Sequence, residues 1–528
     1  LNSVNFGEGL LSIGSCAFQN CRDLNSVNFG EGLLSIGSYA FENCPNIETV
    51  CLPESLTTIG SEAFKDCSKL TSIDIPNKVT KLNDNTFANC TSLKNVSIGS
   101  GCTSISSTAF VGSNAIEKII VAGGNANYSS VDGALLNKEK TSIILYPKSK
   151  SGEFVIPDTV TSISDHAFDN VPNLTKITIG ANVKTIGARA FQNCNSLETV
   201  IFKDSDTIKK TIGNYAFYKC PALSKVDFGN AVKSIGSYSF AVNDSIKSIE
   251  LPDSLESIGD GAFFCNRKLT NIVFTGENLT SIGSNAFQDC DSLTELNLKG
   301  NGETVIDYGA FCGNDALKKI SLAGIKTIGD GAFEYCGDLN SVNFGEGLLS
   351  IGSCAFLNCP NIETVSLPES LTTINNGAFK ECSKLTSIDI PNKVTKLNDN
   401  TFAYCTSLKN VSIGSGCTSI SATAFVNTSS IDRITVSEDN KNFTAVDGVL
   451  YNKDMTTLVL YPKNCSGEFA VPDTVTTIAD YAFYESPNIT KITIGKNVKT
   501  IGNYAFYNCP ALFKVCLLYT SDAADDLT

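Results

Sequence analysis

The chain has 528 residues, no tryptophan, one histidine and a formal net charge of −14. Hydrophobic residues make up 42% and charged residues 18% of the chain, which is typical of a folded protein rather than a disordered one. The acidic balance and the lack of a basic run argue against nucleic acid or an anionic membrane as a partner. No apolar stretch of the sequence is long enough to cross a bilayer.

A motif of 23 residues organises the chain. Its phenylalanine recurs nineteen times between Phe18 and Phe506; most steps are 23 residues, two are 58, and the rest are 22 to 26. A typical copy is LTSIDIPNKVTKLNDNTFANCTS at 70–92. Because a unit this short cannot bury its own apolar face, the period predicts a solenoid in which neighbouring units stack.

Three predicted elements follow one another within each copy. In the copy at 70–92, Ile73 and Ile75 alternate with Ser72 and Asp74, which predicts a strand. Pro or Gly ends this strand, and a second extended piece of the VTSIG type follows. The AFxxC segment is long enough only for a single helical or 3₁₀ turn. The prediction is therefore a mainly β coil, with parallel strands stacked in a ladder roughly 4.8 Å apart.

These three segments, LxxIxIP, VTSIG and AFxxC, together resemble the BspA-like leucine-rich repeat family over nearly all of 1–516. The resemblance implies a leucine-rich-repeat solenoid. It also implies an extracellular or cell-surface module for binding and adhesion, because members occur largely on host-associated bacteria and parasitic protists. The expected partners are host proteins or glycans, held through a multivalent surface. An intracellular protein-interaction scaffold of the same shape, with reduced cysteines, is the alternative.

The sequence predicts a single continuous solenoid over 1–516. Residues 24–110 align with 339–425 at a constant offset of 315, with nine differences in 87 positions, and the duplicated block extends over 24–191 and 339–506. Residues 517–528 do not fit the repeat and are interpreted as a tail of artefactual origin. Membrane attachment is expected only through an anchor that this chain does not contain.

The repeat Phe and a Cys three residues after it are predicted to be structural and to point inward. The Cys position is interpreted as a small buried side chain, with a disulfide framework or a metal site as alternatives. Equivalent residues of adjacent coils have parallel Cβ vectors, which suits a disulfide poorly. Other copies carry Asn243, Asn314, Thr428 or Ser486 there, which suggests a need for small size more than for sulfur. The predicted structural residues are Phe18, Phe41, Phe64, Phe87, Phe110, Phe168, Phe356, Phe379, Phe402, Cys21, Cys44, Cys67, Cys90, Cys359, Cys382 and Cys405.

The two long steps carry an insertion each, at about 119–150 and 434–465. In each insertion an alternating run (GALLN or GVLYN) meets a polar turn (KEK or KDM), and a second run follows (TSIILYP or TTLVLYP). This pattern predicts a β-hairpin set into the first of two coils.

Ligand binding is predicted at these hairpins. The outward positions of the ordinary strands are small and polar, whereas binding hot spots favour aromatic residues and Arg. The alternative is that the hairpin aromatics only fix the hairpin to the solenoid. The predicted ligand contacts are Lys118, Tyr128, Tyr146, Arg433, Phe443, Tyr451 and Tyr461.

No catalytic residue, metal ligand or cofactor is predicted, and the chain is not expected to be an enzyme. His166 is interpreted as a surface turn residue, because other copies place Tyr481, Gly261 or Glu62 at the same position. The acidic residues are scattered, and no pair of carboxylates suggests general acid–base chemistry.

Overall fold

The computed structural model describes residues 2–517 and divides the chain into two compact units, Leu1–Asn266 and Arg267–Thr528. Each unit is a stack of coils made of short strands and turns, and no helix is assigned within residues 2–517. The single solenoid over 1–516 stays a prediction. Residues 518–528 of the proposed tail lie outside the described residues.

The first unit contains 24 strands. In chain order they are β1 (Ser3–Asn5), β2 (Ser12–Ile13), β3 (Ser26–Asn28), β4 (Ser35–Ile36), β5 (Thr49–Cys51), β6 (Thr58–Ile59), β7 (Ser72–Ile75), β8 (Lys81–Leu82), β9 (Asn95–Ile98), β10 (Ser104–Ile105), β11 (Lys118–Val121), β12 (Tyr128–Val131), β13 (Ala134–Asn137), β14 (Ser142–Leu145), β15 (Ser151–Val155), β16 (Ser162–Ile163), β17 (Asn173–Ile179), β18 (Thr185–Ile186), β19 (Thr199–Phe202), β20 (Lys210–Ile212), β21 (Lys225–Asp227), β22 (Val232–Ile235), β23 (Ser248–Leu251) and β24 (Ser257–Ile258).

The strands of the first unit pair as the repeat predicts. The LxxIxI strands form two parallel ladders, β1-β3-β5-β7-β9-β11 and β15-β17-β19-β21, and the VTSIG strands form others, such as β2-β4-β6 and β8-β10. Paired residues are one repeat apart, as Ile73 and Val96 show. Equivalent side chains therefore stack on the same face, and the predicted parallel ladder is confirmed.

Between residues 267 and 517 the second unit contains 20 strands. They are β25 (Asn271–Phe274), β26 (Ser281–Ile282), β27 (Glu295–Ile306), β28 (Lys319–Ile328), β29 (Ser341–Asn343), β30 (Ser350–Ile351), β31 (Thr373–Ile374), β32 (Ser387–Ile390), β33 (Lys396–Leu397), β34 (Asn410–Ile413), β35 (Ser419–Ile420), β36 (Arg433–Val436), β37 (Phe443–Val446), β38 (Val449–Asn452), β39 (Thr457–Leu460), β40 (Gly467–Ala470), β41 (Thr477–Ile478), β42 (Ile489–Ile494), β43 (Thr500–Ile501) and β44 (Lys514–Leu517). Its parallel ladders include β32-β34-β36 and β40-β42-β44.

The AFxxC segment forms consecutive turns, so the predicted helical or 3₁₀ turn is wrong. In the coil of Phe64, Glu62 and Asp66 have φ angles of 58° and 60°. Left-handed residues on both sides of the Phe interrupt any right-handed helix. Alternate N–H groups bond to the next coil instead, with Phe64 N donating to Thr86 O at 2.9 Å and Asp66 N to Ala88 O at 2.9 Å. Lys65 N and Cys67 N donate within the turn, to Glu62 O at 3.3 Å and Phe64 O at 3.4 Å.

The repeat Phe rings form stacked columns in the core. The ring centroids of Phe41 and Phe64 are 5.3 Å apart, and those of Phe64 and Phe87 are 5.5 Å apart. Phe18 is only half-buried, although its ring also stacks on Phe41. The other predicted Phe are buried, namely Phe41, Phe64, Phe87, Phe110, Phe168, Phe356, Phe379 and Phe402.

The cysteine column lies beside the Phe column and supplies hydrogen-bond donors. The thiol of Cys67 donates to Phe41 O in the preceding coil at 3.3 Å, and Cys90 donates to Phe64 O at 3.2 Å. All 21 cysteines are free; Cys21 is half-buried, whereas Cys44, Cys67, Cys90, Cys359, Cys382 and Cys405 are buried. Burial raises the pKa of the Cys90 and Cys405 thiols to about 12.

Asn243 and Ser113 replace Cys in this column and also donate. Asn243 Nδ2 donates to Phe217 O at 2.9 Å, and Ser113 Oγ donates to Phe87 O at 2.7 Å. The sequence interpretation that the position needs small size is therefore incomplete. The position favours a small side chain that can donate a hydrogen bond to a buried carbonyl.

Candidate ligand-binding clefts

Each long step carries a three-stranded antiparallel insertion. Strands β12, β13 and β14 form it in the first unit, and β37, β38 and β39 form it in the second. The predicted hairpin is confirmed as β13–β14 and β38–β39. The sequence analysis missed the preceding strand, which Asp132-Gly133 or Asp447-Gly448 joins to the hairpin, although Asp-Gly between alternating residues is a strong hairpin signal.

Tyr146 and Tyr461 occupy the Phe column of the inserted coils. Tyr146 stacks on Phe168 with 4.6 Å between ring centroids, and Tyr461 stacks on Phe483 at 4.8 Å. Tyr146 N donates to Ala167 O at 2.8 Å, as a repeat Phe does. Both tyrosines are buried in the core, so the prediction that they contact a ligand is wrong.

The other hairpin aromatics also face the solenoid. Phe443 and Tyr451 are buried, and burial together with the nearby Asp447 raises the pKa of Tyr451 to about 12. Their prediction as ligand contacts is also wrong. Tyr128 is half-buried, and its hydroxyl accepts a hydrogen bond from Ile105 N at 3.0 Å. A short hairpin is marginal alone in water, so its aromatic side chains stabilise it by packing on the coils.

Lys118 and Arg433 remain exposed, and each lines a cleft between a ladder strand and the turn of an insertion. The two residues are equivalent at the offset of 315. The first hairpin cleft has a volume of about 460 Å³ and is lined by Glu117, Lys118, Ile119, Ile120, Ser130, Asp132, Gly133 and Lys150. The second hairpin cleft has a volume of about 490 Å³ and is lined by Asp432, Arg433, Ile434, Thr435, Val436, Ala445, Asp447 and Gly448.

The clefts form where a parallel ladder is interrupted. Strand β11 ends one ladder and β15 begins another, and the insertion turn lies beside β11. Ile119 N donates to Gly133 O at 3.0 Å, and Ile434 N donates to Gly448 O at 3.2 Å in the second unit. Gly133 has a φ of 84°, and a Cβ there would lie 3.3 Å from Glu117 O, so the turn favours glycine.

Both clefts mix cationic and anionic side chains on a rigid strand. Lys118 lies next to Glu117, which pairs with Lys94 at 3.4 Å. Arg433 lies next to Asp432, which accepts a hydrogen bond from Asn464 Nδ2 at 2.6 Å. Such a set can hold a polar ligand through several hydrogen bonds and ion pairs.

The single histidine lies in a turn, outside the residues that line the two hairpin clefts. His166 is half-buried in its turn rather than exposed as expected, with Nδ1 3.2 Å from Asp169 Oδ2. Within residues 2–517, no three potential metal ligands among His, Cys, Asp and Glu gather at one point. The same residues contain no helix with the length and apolarity to span a membrane.

Sequence reasoning also missed the asparagine that fixes the base of each insertion. The buried Asn125 amide donates to Gly99 O at 2.9 Å and to Cys102 O at 3.0 Å, and its oxygen accepts from Tyr128 N at 2.8 Å. Asn440 makes the same contacts in the second unit. The sequence signal for this role is that both insertions have Asn at this position, although the segments 119–157 and 434–472 differ at 19 of 39 positions.

A family profile described as a BspA type leucine rich repeat region matches the chain in six copies. The matched residues are 1–117, 145–211, 210–337, 326–446 and 462–522. The profile leaves out 118–144 and 447–461, which lie in the two insertions. No curated protein matches the sequence.

Several solved structures are similar to the chain. A leucine-rich repeat protein from Bacteroides ovatus is 22% identical, with 83% of this chain and 92% of that chain covered and a TM-score of 0.46. The pneumococcal vaccine antigen PcpA is 22% identical, with 61% and 75% covered and a TM-score of 0.49. A leucine rich cell surface protein from Faecalibacterium prausnitzii is 23% identical, with 75% and 96% covered and a TM-score of 0.36.

Proposed function

The chain belongs to the BspA-type leucine-rich repeat family, and on that premise we propose that it is an extracellular or cell-surface binding module that adheres to host proteins or glycans. The observation that carries this proposal is the pair of equivalent clefts, each with one exposed cationic side chain, Lys118 or Arg433, on a rigid strand. A strand that is paired on one side and held by a turn on the other presents its side chains with little loss of entropy on binding.

The outward strand positions extend the proposed binding surface. They are exposed or half-exposed, small and polar, and each offers a weak contact that gains strength only through multivalency. With a net charge of −14, the surface favours polar and basic partners over nucleic acid. These positions include Asn5, Asn28, Asp74, Ser97, Thr178, Asp227, Asn297 and Ser321.

An intracellular scaffold with reduced cysteines is the second candidate, because all 21 cysteines are free. The buried column is compatible with either location. Burial raises the pKa of Cys44 to about 11 and of Cys90 to about 12, so these thiols stay protonated near neutral pH. A protonated, buried thiol reacts slowly with oxidants, and such a column stays reduced outside the cell as well.

Binding of the full chain to glycan arrays and to purified host matrix proteins tests the proposal. We expect the double variant Lys118→Ala with Arg433→Ala to bind at least about tenfold more weakly, a loss of roughly 1.4 kcal/mol. Lys225→Ala is the matched control, because Lys225 is exposed at the same coil position in a coil without an insertion. Equal binding by the double variant and the unmodified chain would contradict the proposal.

Location is tested separately. On intact cells that produce the chain, antibodies against it are expected to stain the surface without permeabilisation. Staining only after permeabilisation would favour the intracellular scaffold.

A further inference from the structure

The two hairpin clefts share a scaffold but differ in chemistry. Five of the positions that line either cleft change between the first and the second cleft at the offset of 315. The pairs are Glu117 and Asp432, Lys118 and Arg433, Ile120 and Thr435, Ser130 and Ala445, and Lys150 and Cys465. The change at Ser130 has the clearest structural consequence, because it alters the pairing of a main-chain donor.

In the first cleft this donor is satisfied by the insertion itself. Val121 N donates to Ser130 Oγ at 3.2 Å. In the second cleft Ala445 has no hydroxyl, so Val436 N lacks the side-chain acceptor that Ser130 Oγ provides for Val121 N in the first cleft. The neighbouring Ser437 N donates to Ile413 O of β34 at 2.9 Å. Because the N–H groups of a strand alternate in direction, Val436 N–H points away from β34 and into the cleft that Val436 lines.

Strand β36 is also the edge of its ladder. It pairs with β34 on one side, whereas β40 belongs to the next ladder and does not pair with it. On the side of β36 that faces away from β34, the insertion turn accepts a hydrogen bond from Ile434 N through Gly448 O. An edge strand with an available N–H is a template for the addition of an extended peptide.

We propose that the second hairpin cleft captures an extended peptide segment of a partner protein, which adds to the edge of β36 and accepts a hydrogen bond from Val436 N–H. The segment carries a basic side chain, because two acidic residues, Asp432 and Asp447, and one basic residue, Arg433, line the cleft. This inference rests on the proposed function and names the kind of partner that the cleft takes. In the first cleft, Ser130 already occupies the equivalent donor.

The test uses the peptide LTKITIG, residues 174–180 of this chain, with blocked ends and a fluorescent label. Most of this segment lies in β17, which pairs in parallel with the edge strand β15, and it carries one lysine. Fluorescence polarisation of the labelled peptide gives the affinity, and calorimetry gives the stoichiometry.

We expect one peptide per chain and a loss of affinity of about fivefold or more in Ala445→Ser, whose hydroxyl accepts from Val436 N–H as Ser130 accepts from Val121 N–H. The reciprocal Ser130→Ala is expected to raise the stoichiometry above one. Both substitutions copy the residue of the other insertion, so both variants are expected to melt at the temperature of the unmodified chain.

Three outcomes would overturn the inference. The first is equal peptide affinity for Ala445→Ser and the unmodified chain, and the second is absence of peptide binding. The third is undiminished binding of a peptide with Pro in place of Ile177, because Pro prevents strand addition. If glycan or matrix binding still depends on Lys118 and Arg433 in any of these cases, the proposed function stands while the peptide inference fails.

Discussion

Two buried lysines are the least predictable residues of the chain. Lys148 and Lys463 follow the Tyr-Pro of each insertion and are 3% and 1% exposed. Lys463 Nζ donates to Phe425 O at 2.6 Å and lies 5.6 Å from the centroid of the Tyr484 ring. Lysine is rarely buried, so residue type alone does not place either lysine in the core. The carbonyl that each lysine satisfies becomes apparent only once the coils are stacked.

Burial lowers the pKa of Lys463 from 10.5 to about 8. Between pH 8 and 10.5 the unfolded chain therefore binds more protons at this site than the folded chain, and the contribution of Lys463 to stability rises with pH. We predict that Lys463→Met is more stable than the unmodified chain at pH 7. This advantage in the free energy of unfolding should shrink by about 3 kcal/mol by pH 10.5.

Urea unfolding at several pH values between 7 and 10.5 measures this difference. Titration of groups that do not interact with Lys463 affects both chains equally and cancels in the comparison. The control is Lys453→Met, at an exposed position of the same insertion, which should not change the pH dependence of stability. A constant difference between Lys463→Met and the unmodified chain across the range would mean that Lys463 is not buried.

At the scale of elements, the sequence predicted the strands and misjudged the turns. Alternation of Ile73 and Ile75 with polar residues fixes a strand, because only two faces are possible. The residue type in the cysteine column depends on which buried carbonyl of the preceding coil needs a hydrogen-bond donor. That need arises only when the coils are stacked. After each inserted coil, the cysteine column lacks this hydrogen bond. Val171 has no donor group, and the hydroxyl of Ser486 has no partner among the described residues.

Substitution within this column tests its role as a donor. Cys405 Sγ donates to Phe379 O at 3.1 Å. We predict that Cys405→Ser keeps this hydrogen bond, whereas Cys405→Val loses it and lowers the free energy of unfolding by about 1 kcal/mol relative to the Ser variant. Denaturant melts of both variants measure this difference. If Val were as stable as Ser, small size alone would explain the column.

The insertions show what repeat spacing could have revealed. Tyr146 precedes Phe168 by 22 residues, and Tyr461 precedes Phe483 by 22 residues, within the range of ordinary repeat steps. This spacing would have assigned both tyrosines to the core. No spacing rule distinguishes the two faces of a short hairpin, so the orientation of Phe443 and Tyr451 was not predictable. Lys118 and Arg433 belong to the regular repeat, and both lie at exposed strand positions.

At the scale of the whole molecule, coil-to-coil packing explains why the solenoid accommodates a duplicated block. Residues 24–110 and 339–425 differ at nine of 87 positions, and the ladder contacts of each copy are to coils one repeat away. A duplicated block therefore brings its own core with it. The surface can then diverge, as the insertions have at 19 of 39 positions.

Deletion of one whole repeat tests this property directly. Removal of residues 65–87 joins Phe64 to Ala88 and keeps the AFxNC turn, so every remaining coil retains its register. We predict cooperative thermal melting with a native circular dichroism spectrum and only a small decrease in melting temperature, because each coil contacts only its neighbours.

The control deletion removes residues 65–76, about half a repeat. It shifts the inward Leu and Ile positions onto the wrong face of the ladder, and we expect loss of cooperativity and rapid proteolysis in the first unit. If the whole-repeat deletion damaged the fold as much as the half-repeat deletion, the coils would not be interchangeable. The duplication at the offset of 315 could then not be explained by coil-to-coil packing alone.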